Sequence, residues 1–437
     1  MNFSSLRHVF PDSARITDAG HLELGGIDVV SLVNEYDTPL YVFCEETLRN
    51  RSKEFLDAFS SLYPNSRVAY AAKAYLGPAL ARLVQDMGLG MDVVSGGELA
   101  VAKFVEFKAD RIFFHGNNKS SDELGQALQY GVGYIVVDNM HELEVLQSLA
   151  TKMNRQQKIL LRVNPGVDPH THSHTTTGIL DSKFGFPLST GQAEVAIKEA
   201  MTAKNIELCG IHFHLGSPIF DLEPYAEAIN IVLQFISKIK GAEDWFQVFS
   251  PGGGFAISYT GSQIPPRPID YASTIVSSLV DGCAEFGLRQ PELVIEPGRS
   301  ITGPAGVAIY SVGAIKEIPE VRIYSSVDGG MGDNIRPALY GASYEVIAAT
   351  RLFETPTTRM TISGKFCESG DILVKDAFLP SLKSGDLIAI PASGAYSPSM
   401  ASNYNMNPRP PIVLVNNGKS SVMRRRETLE DMLICDL

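Results

Sequence analysis

Through the middle of the chain, short apolar segments alternate with longer amphipathic ones. The short segments are bounded by polar residues or glycine, which is typical of buried strands, whereas the longer ones have a helical period. We predict eight strands, at residues 68–72, 90–94, 111–115, 134–137, 159–163, 209–214, 246–250 and 293–296. This alternation over roughly 250 residues predicts an α/β fold, a (β/α)8 TIM-like barrel with its functional groups at the C-terminal strand ends. An open doubly wound sheet is the alternative.

The two ends of the chain follow a different pattern. Beyond Ile301, glycine and proline separate short strands predicted at residues 307–312, 323–328, 359–363, 386–390 and 411–415. This pattern predicts a mainly-β C-terminal domain, which the strand-like segments before residue 44 are expected to join. The predicted division is 1–44 for the N-terminal strands, 45–303 for the barrel and 304–437 for the β domain. Residues 424–426, three arginines, are predicted on a solvated helix face.

Composition limits the classes of function. The chain has 437 residues, 44% hydrophobic and 20% charged, as expected of a soluble globular protein with more than one domain. Its formal net charge of −12 argues against a nucleic-acid or membrane-surface binder. The five cysteines lack CxxC spacing and predict neither a disulfide framework nor a zinc site. Because no segment resembles a signal peptide or a membrane span, we expect a cytoplasmic protein without nucleic-acid or membrane partners.

A single lysine, Lys73, ends the first predicted barrel strand, and no acidic residue lies near it in sequence. A lysine desolvated by an apolar wall tends to lose its proton, and the neutral amine then attacks a carbonyl to form a Schiff base. A lysine that packs its stem and extends its ammonium to water gives the same pattern. Taken alone, the segment favours the second interpretation, and the residues at the other strand ends change that balance.

Polar residues end most of the predicted barrel strands, where packing alone favours apolar ones. They are Lys73, Asp92, His115, Asp138, Arg162, His214 and Glu296. Gly252, Gly253 and Gly254 follow one strand and Gly298 follows another, and their unobstructed backbone N–H groups suit a phosphate. A flexible turn explains a glycine triplet equally well. A carboxylate such as Glu296 beside a pyridine nitrogen would keep that nitrogen protonated.

Histidines are concentrated in two segments. His212 and His214 alternate and are expected on one face of a strand, where one would cover a flat ring while Ser217 reaches a phosphate. A buried, hydrogen-bonded histidine is the alternative for each. His170, His172 and His174 also alternate, but no carboxylate or cysteine completes a ligand set beside them. We therefore expect a lid loop there and no metal site.

The predicted β domain adds candidates for acid–base chemistry and carboxylate binding. In the segment CESGD, a thiol at Cys367 would reprotonate a carbanion, and Glu368 would bind an amine. Arg299 and Arg336 offer the planar guanidinium that pairs with a carboxylate through two hydrogen bonds. Tyr404 offers a phenol to a phosphate. The corresponding structural explanations are a buried structural cysteine for Cys367, surface salt bridges for the two arginines and a simple turn for Tyr404.

Together these motifs resemble the fold-type III pyridoxal-phosphate decarboxylases over nearly the whole chain. The resemblance rests on YAAKA (70–74), DVVSGGE (92–98), SKFG (182–185), HFHLGS (212–217), GGG (252–254), EPGRS (296–300), DGG (328–330), RPALY (336–340), CESGD (367–371) and SNYN (402–405). It implies pyridoxal 5'-phosphate as cofactor and an amino acid as substrate. The implied reaction removes CO2 from the D-centre of meso-2,6-diaminopimelate and gives L-lysine, the last step of lysine biosynthesis.

The resemblance also implies a role for each matching residue. Lys73 would hold the cofactor as a Schiff base, and the further cofactor-binding residues would be Asp92, His214 stacked on the ring, Ser217, Gly253, Gly254, Glu296 at the pyridine nitrogen, Gly298, Arg299 and Tyr404. The substrate would be bound by Arg299, Arg336, Tyr340, Glu368 and Tyr404. Cys367 would be the catalytic acid, and it would reach in with Glu368 from a second subunit. A homodimer with shared active sites is therefore implied.

Other functions fit parts of the same pattern. A decarboxylase of lysine, ornithine or a carboxylated polyamine would use the same cofactor on a substrate without the distal amino-acid group. An alanine-racemase-like enzyme shares the barrel and the cofactor, but the order of the motifs and the CESGD segment argue against it. A catalytically silent paralogue would be expected to lose Lys73, Cys367 or the glycine turns, and all of them are present.

Overall fold

The computed structural model describes residues 3–168 and 181–436, so His170, His172 and His174 lie outside the described residues. The chain divides into two compact units. The first, the mixed-sheet unit, comprises Met1–Arg51, Ile257–Pro265 and Arg299–Leu437, and the second, the barrel unit, comprises Ser52–Ala256 and Pro266–Gly298. Among the described residues, no helix has the length and apolarity needed to cross a membrane.

The strands and helices are numbered in chain order. The strands are β1 Arg15–Ile16, β2 Leu22–Leu24, β3 Ile27–Asp28, β4 Leu40–Cys44, β5 Ser66–Ala71, β6 Gly90–Val93, β7 Ile112–Phe114, β8 Tyr134–Val137, β9 Gln157–Asn164, β10 Phe186–Pro187, β11 Ile206–His212, β12 Val248–Gly252, β13 Glu292–Ile295, β14 Gly306–Ile318, β15 Arg322–Val327, β16 Ile347–Ala348, β17 Thr358–Ser363, β18 Ile372–Leu379, β19 Leu387–Ile390, β20 Ile412–Asn416 and β21 Lys419–Arg424. The α-helices are α1 Val29–Tyr36, α2 Glu45–Leu62, α3 Pro78–Asp86, α4 Gly96–Phe104, α5 Ser121–Tyr130, α6 Met140–Lys152, α7 Gln192–Thr202, α8 Glu223–Ser237, α9 Ala242–Trp245, α10 Pro268–Phe286, α11 Arg299–Thr302, α12 Arg336–Tyr340 and α13 Leu429–Leu433. Short 3-10 turns cover Phe3–Val9, Ala72–Ala74, Ala109–Arg111 and Tyr404–Met406.

Eight parallel strands close into a barrel in the barrel unit. Their order is β5, β6, β7, β8, β9, β11, β12 and β13. The last strand pairs with the first, with Val294 opposite Arg67, so the predicted barrel is confirmed and the open sheet is excluded. Strands such as β8, with the sequence YIVV, are buried along their whole length, which explains their continuous apolar pattern.

Local capping signals begin and end the helices of the barrel. Ser120 precedes α5 and forms a capping box with Glu123, and Asn139 precedes α6 and accepts the N–H of Glu142 at 3.0 Å. Gly131 ends α5 in the left-handed region at φ 77°. These caps set where each helix starts and ends.

The mixed-sheet unit is built on a sheet with the strand order β18, β17, β15, β14, β4, β20 and β21, and β19 pairs with both β14 and β16. Strand β4 lies between β14 and β20 and therefore belongs to this sheet, whereas β1, β2 and β3 form a separate three-stranded sheet. Its core contains Leu40, Val42, Val307, Ile309 and Val413. The expected mainly-β domain joined by N-terminal strands is therefore present.

Several elements of the mixed-sheet unit were not expected. The segment before residue 40 contains α1 as well as strands, and β18 and β21 had not been predicted. The prediction of a helix at residues 424–426 is wrong, because Arg424 ends β21 and α13 begins only at Leu429. Arg424 donates to Pro410 O at 3.0 Å, and Arg426 donates to Pro39 O at 3.0 Å. Two of these arginines bind backbone carbonyls instead of forming a solvated helix face.

Candidate active site

Lys73 lies just beyond the C-terminal end of β5. The strand stops at Ala71, and Lys73 is the middle residue of the following 3-10 turn. The alanines on either side of it are buried, while Lys73 itself is exposed. Its charge acts on Asp92, which lies in the neighbouring strand β6, and on His214, two residues beyond β11. The structure thus presents a primary amine at the end of the barrel where (β/α)8 proteins carry their functional groups.

Glu296 is the central carboxylate of the barrel site. It follows β13 and is only 6% exposed. The Ser250 hydroxyl donates to its Oε1 at 3.0 Å, and His212 Nε2 donates to its Oε2 at 3.1 Å. Burial alone would raise the pKa of Glu296, but His212 and His115 outweigh that effect and hold its pKa well below the ordinary value. The side chain is an ionised, fixed hydrogen-bond acceptor.

A second buried carboxylate, Asp92, lies on the other side of His115. His115 Nε2 is 3.6 Å from Asp92 Oδ1 and 3.4 Å from Glu296 Oε1. Burial raises the pKa of Asp92, and the neighbouring Glu296 charge adds to that shift while the charge of His115 opposes it. The two acids therefore have opposite pKa shifts, and His115 separates them.

Arg162 and Asp138 extend this polar layer. Arg162 Nη1 is 3.8 Å from Asp138 Oδ1, and its guanidinium lies over the Phe184 ring at 4.5 Å. Asp138 also accepts the N–H of Gly185 at 3.1 Å. The segment SKFG is therefore anchored on the barrel through one ring and one backbone amide.

His214 and its neighbour His212 have different surroundings, contrary to the expectation of one shared strand face. Strand β11 ends at His212, so the alternation of side chains stops before His214. His214 Nδ1 accepts the N–H of Gly253 at 3.3 Å. Burial lowers the pKa of His214 well below its ordinary value, and the charges of Lys73 and Arg162 lower it further. The ring is neutral, with its orientation fixed by a backbone amide.

Glycines bring the backbone of the barrel site unusually close to neighbouring groups. A Cβ on Gly253 would lie 2.1 Å from Glu296 O, and one on Gly298 would lie 2.9 Å from the Ala71 Cβ. Gly254 has φ +112°, a conformation that favours glycine. Ser217, which follows His214 by three residues in the chain, is partly buried. Only glycine fits these turns without displacement of a neighbouring group.

These groups together fit pyridoxal phosphate. They offer a primary amine for its aldehyde, a buried ionised carboxylate for its ring nitrogen and a neutral imidazole for its ring face. Glycine turns of this kind allow a phosphate to approach the backbone closely. The fit rests on the donor set of the barrel unit itself.

In the mixed-sheet unit, Arg336 is buried against aromatic rings. Its guanidinium lies 4.6 Å from the Tyr259 ring centroid and 5.6 Å from that of Tyr344, and it donates to the Tyr344 hydroxyl. Burial lowers the pKa of Arg336, but the two tyrosines outweigh burial and the net pKa is raised. Across residues 3–168 and 181–436, no carboxylate forms an ion pair with Arg336. A buried cation in this state is suited to an anionic ligand.

Arg299 lies in the same aromatic cluster. It donates to the Tyr259 hydroxyl, and its guanidinium lies 4.6 Å from the Tyr396 ring centroid. Tyr259 therefore contacts both guanidinium groups, one through its hydroxyl and the other through its ring face. Tyr259, Tyr344 and Tyr396 were not predicted as site residues, because nothing in their local sequence distinguishes them from other tyrosines of the chain.

The CESGD segment is organised by its last residue. Asp371 is buried and accepts the N–H groups of Met331 at 2.6 Å and Phe366 at 2.8 Å. Cys367 and Glu368 are exposed, and the backbone N–H of Cys367 donates to Asn405 Oδ1 at 2.9 Å. This arrangement presents a thiol and a carboxylate on the surface of a fixed turn.

The two tyrosines singled out from the sequence are both at the surface. Tyr404 is 41% exposed, and its hydroxyl donates to Cys367 O at 3.4 Å. Together with Glu368 it lines a cavity of about 350 Å³. Tyr340, the last residue of α12, is 64% exposed. The structure thus brings Tyr404 to the CESGD segment and leaves Tyr340 open.

Comparison with known proteins gives a consistent result. A family model described as "Pyridoxal-dependent decarboxylase, pyridoxal binding domain" matches residues 46–303. The diaminopimelate decarboxylase of Bacillus subtilis is 45% identical over 97% of each chain, and that of Halalkalibacterium halodurans is 44% identical over 98% of each chain. A crystal structure of diaminopimelate decarboxylase from M. jannaschii in co-complex with L-lysine has a TM-score of 0.91 and 33% identity, over 98% of each chain.

Proposed function

Because the chain belongs to the pyridoxal-dependent decarboxylases, and within them to the diaminopimelate decarboxylases, we propose that it converts meso-2,6-diaminopimelate to L-lysine and CO2. The main support for this substrate is the buried guanidinium of Arg336. Tyr259 and Tyr344 contact it, and it has no acidic partner among the described residues. Diaminopimelate has a second carboxylate, at the end that does not react, whereas lysine and ornithine have none. A buried cation of this kind selects the dicarboxylic substrate.

At the reacting end, the barrel unit supplies most of the proposed cofactor-binding groups. Bound pyridoxal phosphate would supply an electron sink for the pair that CO2 leaves on the substrate Cα. Lys73 would attach the cofactor through its amine, Glu296 would keep the ring nitrogen protonated, and the neutral His214 would cover the ring face. Asp92 would add a buried polar group to this layer, and Ser217, Gly253, Gly254, Gly298 and Tyr404 would bind the phosphate.

At the distal end, Arg336 and Arg299 bind the second carboxylate. Tyr259 contacts both guanidinium groups and orients them, which limits the freedom of two long side chains before substrate arrives. Tyr340 and Tyr404 add hydroxyl groups to the same substrate. Bidentate pairing with a planar guanidinium fixes both the position and the angle of the carboxylate.

We propose that the active species is a homodimer with shared active sites. Cys367 and Glu368 are exposed in the single chain, which is the state expected of residues that serve a second subunit. Glu368 then binds the distal ammonium group, and the Cys367 thiol donates a proton to Cα after CO2 has left. The proposal also includes a cytoplasmic location, no nucleic-acid or membrane partner, and the domain division 1–44, 45–303 and 304–437.

Replacing Arg336 tests the substrate assignment. We expect Arg336→Met to lower kcat/KM for meso-diaminopimelate by roughly 100-fold or more, because one arm of a desolvated charge pair is lost. Binding of pyridoxal phosphate, followed by its visible absorbance, should be unchanged. Arg359→Met, at a side chain 62% exposed, is the matched control and should have no effect. An unaltered kcat/KM in the Arg336 variant would refute the assigned role.

A further inference from the structure

Glu296 is surrounded by side chains that lie on, or directly after, three other strands of the barrel. Ser250 lies on β12, His212 is the last residue of β11, and His115 follows β7. The exposed fractions of these side chains are 0% for Ser250, 1% for His212 and 5% for His115. The carboxylate is therefore surrounded by buried polar groups.

Each oxygen of Glu296 accepts one hydrogen bond. Ser250 Oγ donates to Oε1 at 3.0 Å, and His212 Nε2 donates to Oε2 at 3.1 Å. An ionised carboxylate only accepts, so Nε2 of His212 must carry the proton. Burial lowers the pKa of His212 to about 4, so this donor is a neutral imidazole near pH 7. Two neutral donors on two oxygens fix the plane of the carboxylate without cancelling its charge.

We propose that His212 and Ser250 are positioning residues that keep Glu296 ionised and oriented, so that it holds the cofactor's ring nitrogen protonated. This inference rests on the proposed function, because it concerns the cofactor of that reaction. Other titratable groups face the same layer: His115, Asp92, Arg162 and Lys73. His115 Nε2 lies 3.4 Å from Glu296 Oε1. His212 and Ser250 make the shorter contacts, at 3.1 and 3.0 Å, with one of them on each carboxylate oxygen.

A metal ion is the competing use of this cluster. His115, His212 and Glu296 each have a ligand atom, and these atoms lie within 4.8 Å of one another. A bound cation would take the lone pair of His212 Nε2 and remove the donor that the proposal requires. Metal analysis of the purified holoenzyme decides between the two, and a stoichiometric divalent ion would overturn the proposal.

The protonation of the ring nitrogen gives the direct test. The enzyme is reconstituted with pyridoxal phosphate labelled with 15N at that position, and its chemical shift is measured by solid-state NMR at fixed pH. The wild type should show a protonated ring nitrogen. His212→Leu and Ser250→Ala should move the shift toward the unprotonated form and lower kcat roughly 10- to 100-fold, with a smaller change in KM. His212→Gln, which keeps an N–H donor, should recover most of both losses.

A matched control separates positioning from general damage to the barrel unit. Ser52→Ala removes another buried hydroxyl, one without a hydrogen-bond partner in the described part of the chain, and should alter neither reading. A ring nitrogen that stays protonated in both His212→Leu and Ser250→Ala would overturn the proposal, whatever happens to kcat. Failure of the proposed function is distinct: the wild type would then form no lysine from meso-diaminopimelate, while its ring nitrogen still responded to the substitutions.

Discussion

At the scale of single residues, burial decides which ionisable groups can do chemistry. Lys73 is exposed at a strand end, Glu296 is buried and ionised, and Arg336 is buried against tyrosines. The residue types at these positions could be recognised from the sequence. Their protonation could not, because it depends on contacts between distant segments, such as the hydrogen bond between His212 and Glu296.

Asp333 gives a pH-dependent prediction at this scale. It is 4% exposed, and burial raises its pKa from 3.8 to about 7. The hydrogen bond donated by the N–H of Gly330 opposes this shift. The folded protein thus prefers the neutral acid, so this contribution to stability is complete below pH 3.8 and is lost as the pH rises toward 7. The Asp333→Asn variant has no carboxyl group to ionise at this position, so it does not lose this stability as the pH rises. Its stability advantage over wild type should grow by roughly 2–3 kcal/mol between pH 5 and pH 8.

Urea unfolding at the two pH values measures this difference. Asp376→Asn is the control, because that carboxylate is 37% exposed and pairs with Arg359 at 3.0 Å. Its effect should be about 1 kcal/mol or less at both pH values. An Asp333→Asn advantage of equal size at pH 5 and pH 8 would show that the carboxyl is not neutral in the folded protein near pH 7.

At the scale of elements, alternating hydrophobic segments predicted all eight barrel strands, with their ends displaced by a few residues. Most residues of these segments are buried on both faces of the sheet, so the apolar pattern of each segment depends little on its neighbours. Strands β18 and β21 were missed because they are only partly buried, and β18 carries Asp376 at φ 57° within it. The arginines at 424–426 were misplaced because their carbonyl partners are remote in sequence.

Two glycines on different elements make a paired prediction. Gly253→Ala places a methyl group 2.1 Å from Glu296 O and must displace the turn after β12. We expect it to abolish the visible absorbance of bound pyridoxal phosphate and to lower stability by roughly 1–3 kcal/mol. Gly125→Ala, inside α5 with no atom near the new methyl group, should raise stability by up to about 1 kcal/mol. Retained cofactor in Gly253→Ala would contradict the close packing.

At the scale of the whole molecule, the sequence motifs are distributed over both compact units. The barrel unit carries Lys73, His214 and Glu296, and the mixed-sheet unit carries Arg299, Arg336 and the CESGD segment. Only the resemblance to a family linked these motifs in the sequence, since periodicity and spacing alone do not relate residues so far apart. Cys367 and Glu368 are exposed, so the proposed role of both residues depends on subunit assembly.

Mixing two inactive variants tests the shared site. Lys73→Ala lacks the cofactor lysine and Cys367→Ala lacks the proton donor, so each homodimer should be inactive. After subunit exchange, half of the dimers are mixed and contain one intact site, which predicts recovery of about a quarter of wild-type activity. A mixture of Lys73→Ala with Glu296→Gln should recover none, because both changes lie in the barrel unit. No recovery in the first mixture would contradict the shared site.

The most direct measurement of the central claim is product formation from a panel of substrates. Purified enzyme with pyridoxal phosphate is incubated with meso-diaminopimelate, LL-diaminopimelate, L-lysine or L-ornithine, and CO2 and L-lysine are quantified. We predict equal amounts of CO2 and L-lysine from the meso isomer and negligible CO2 from the other three, because reaction requires a D-centre and binding requires a second carboxylate. Comparable CO2 release from L-lysine or L-ornithine, or none from the meso isomer, would contradict the account.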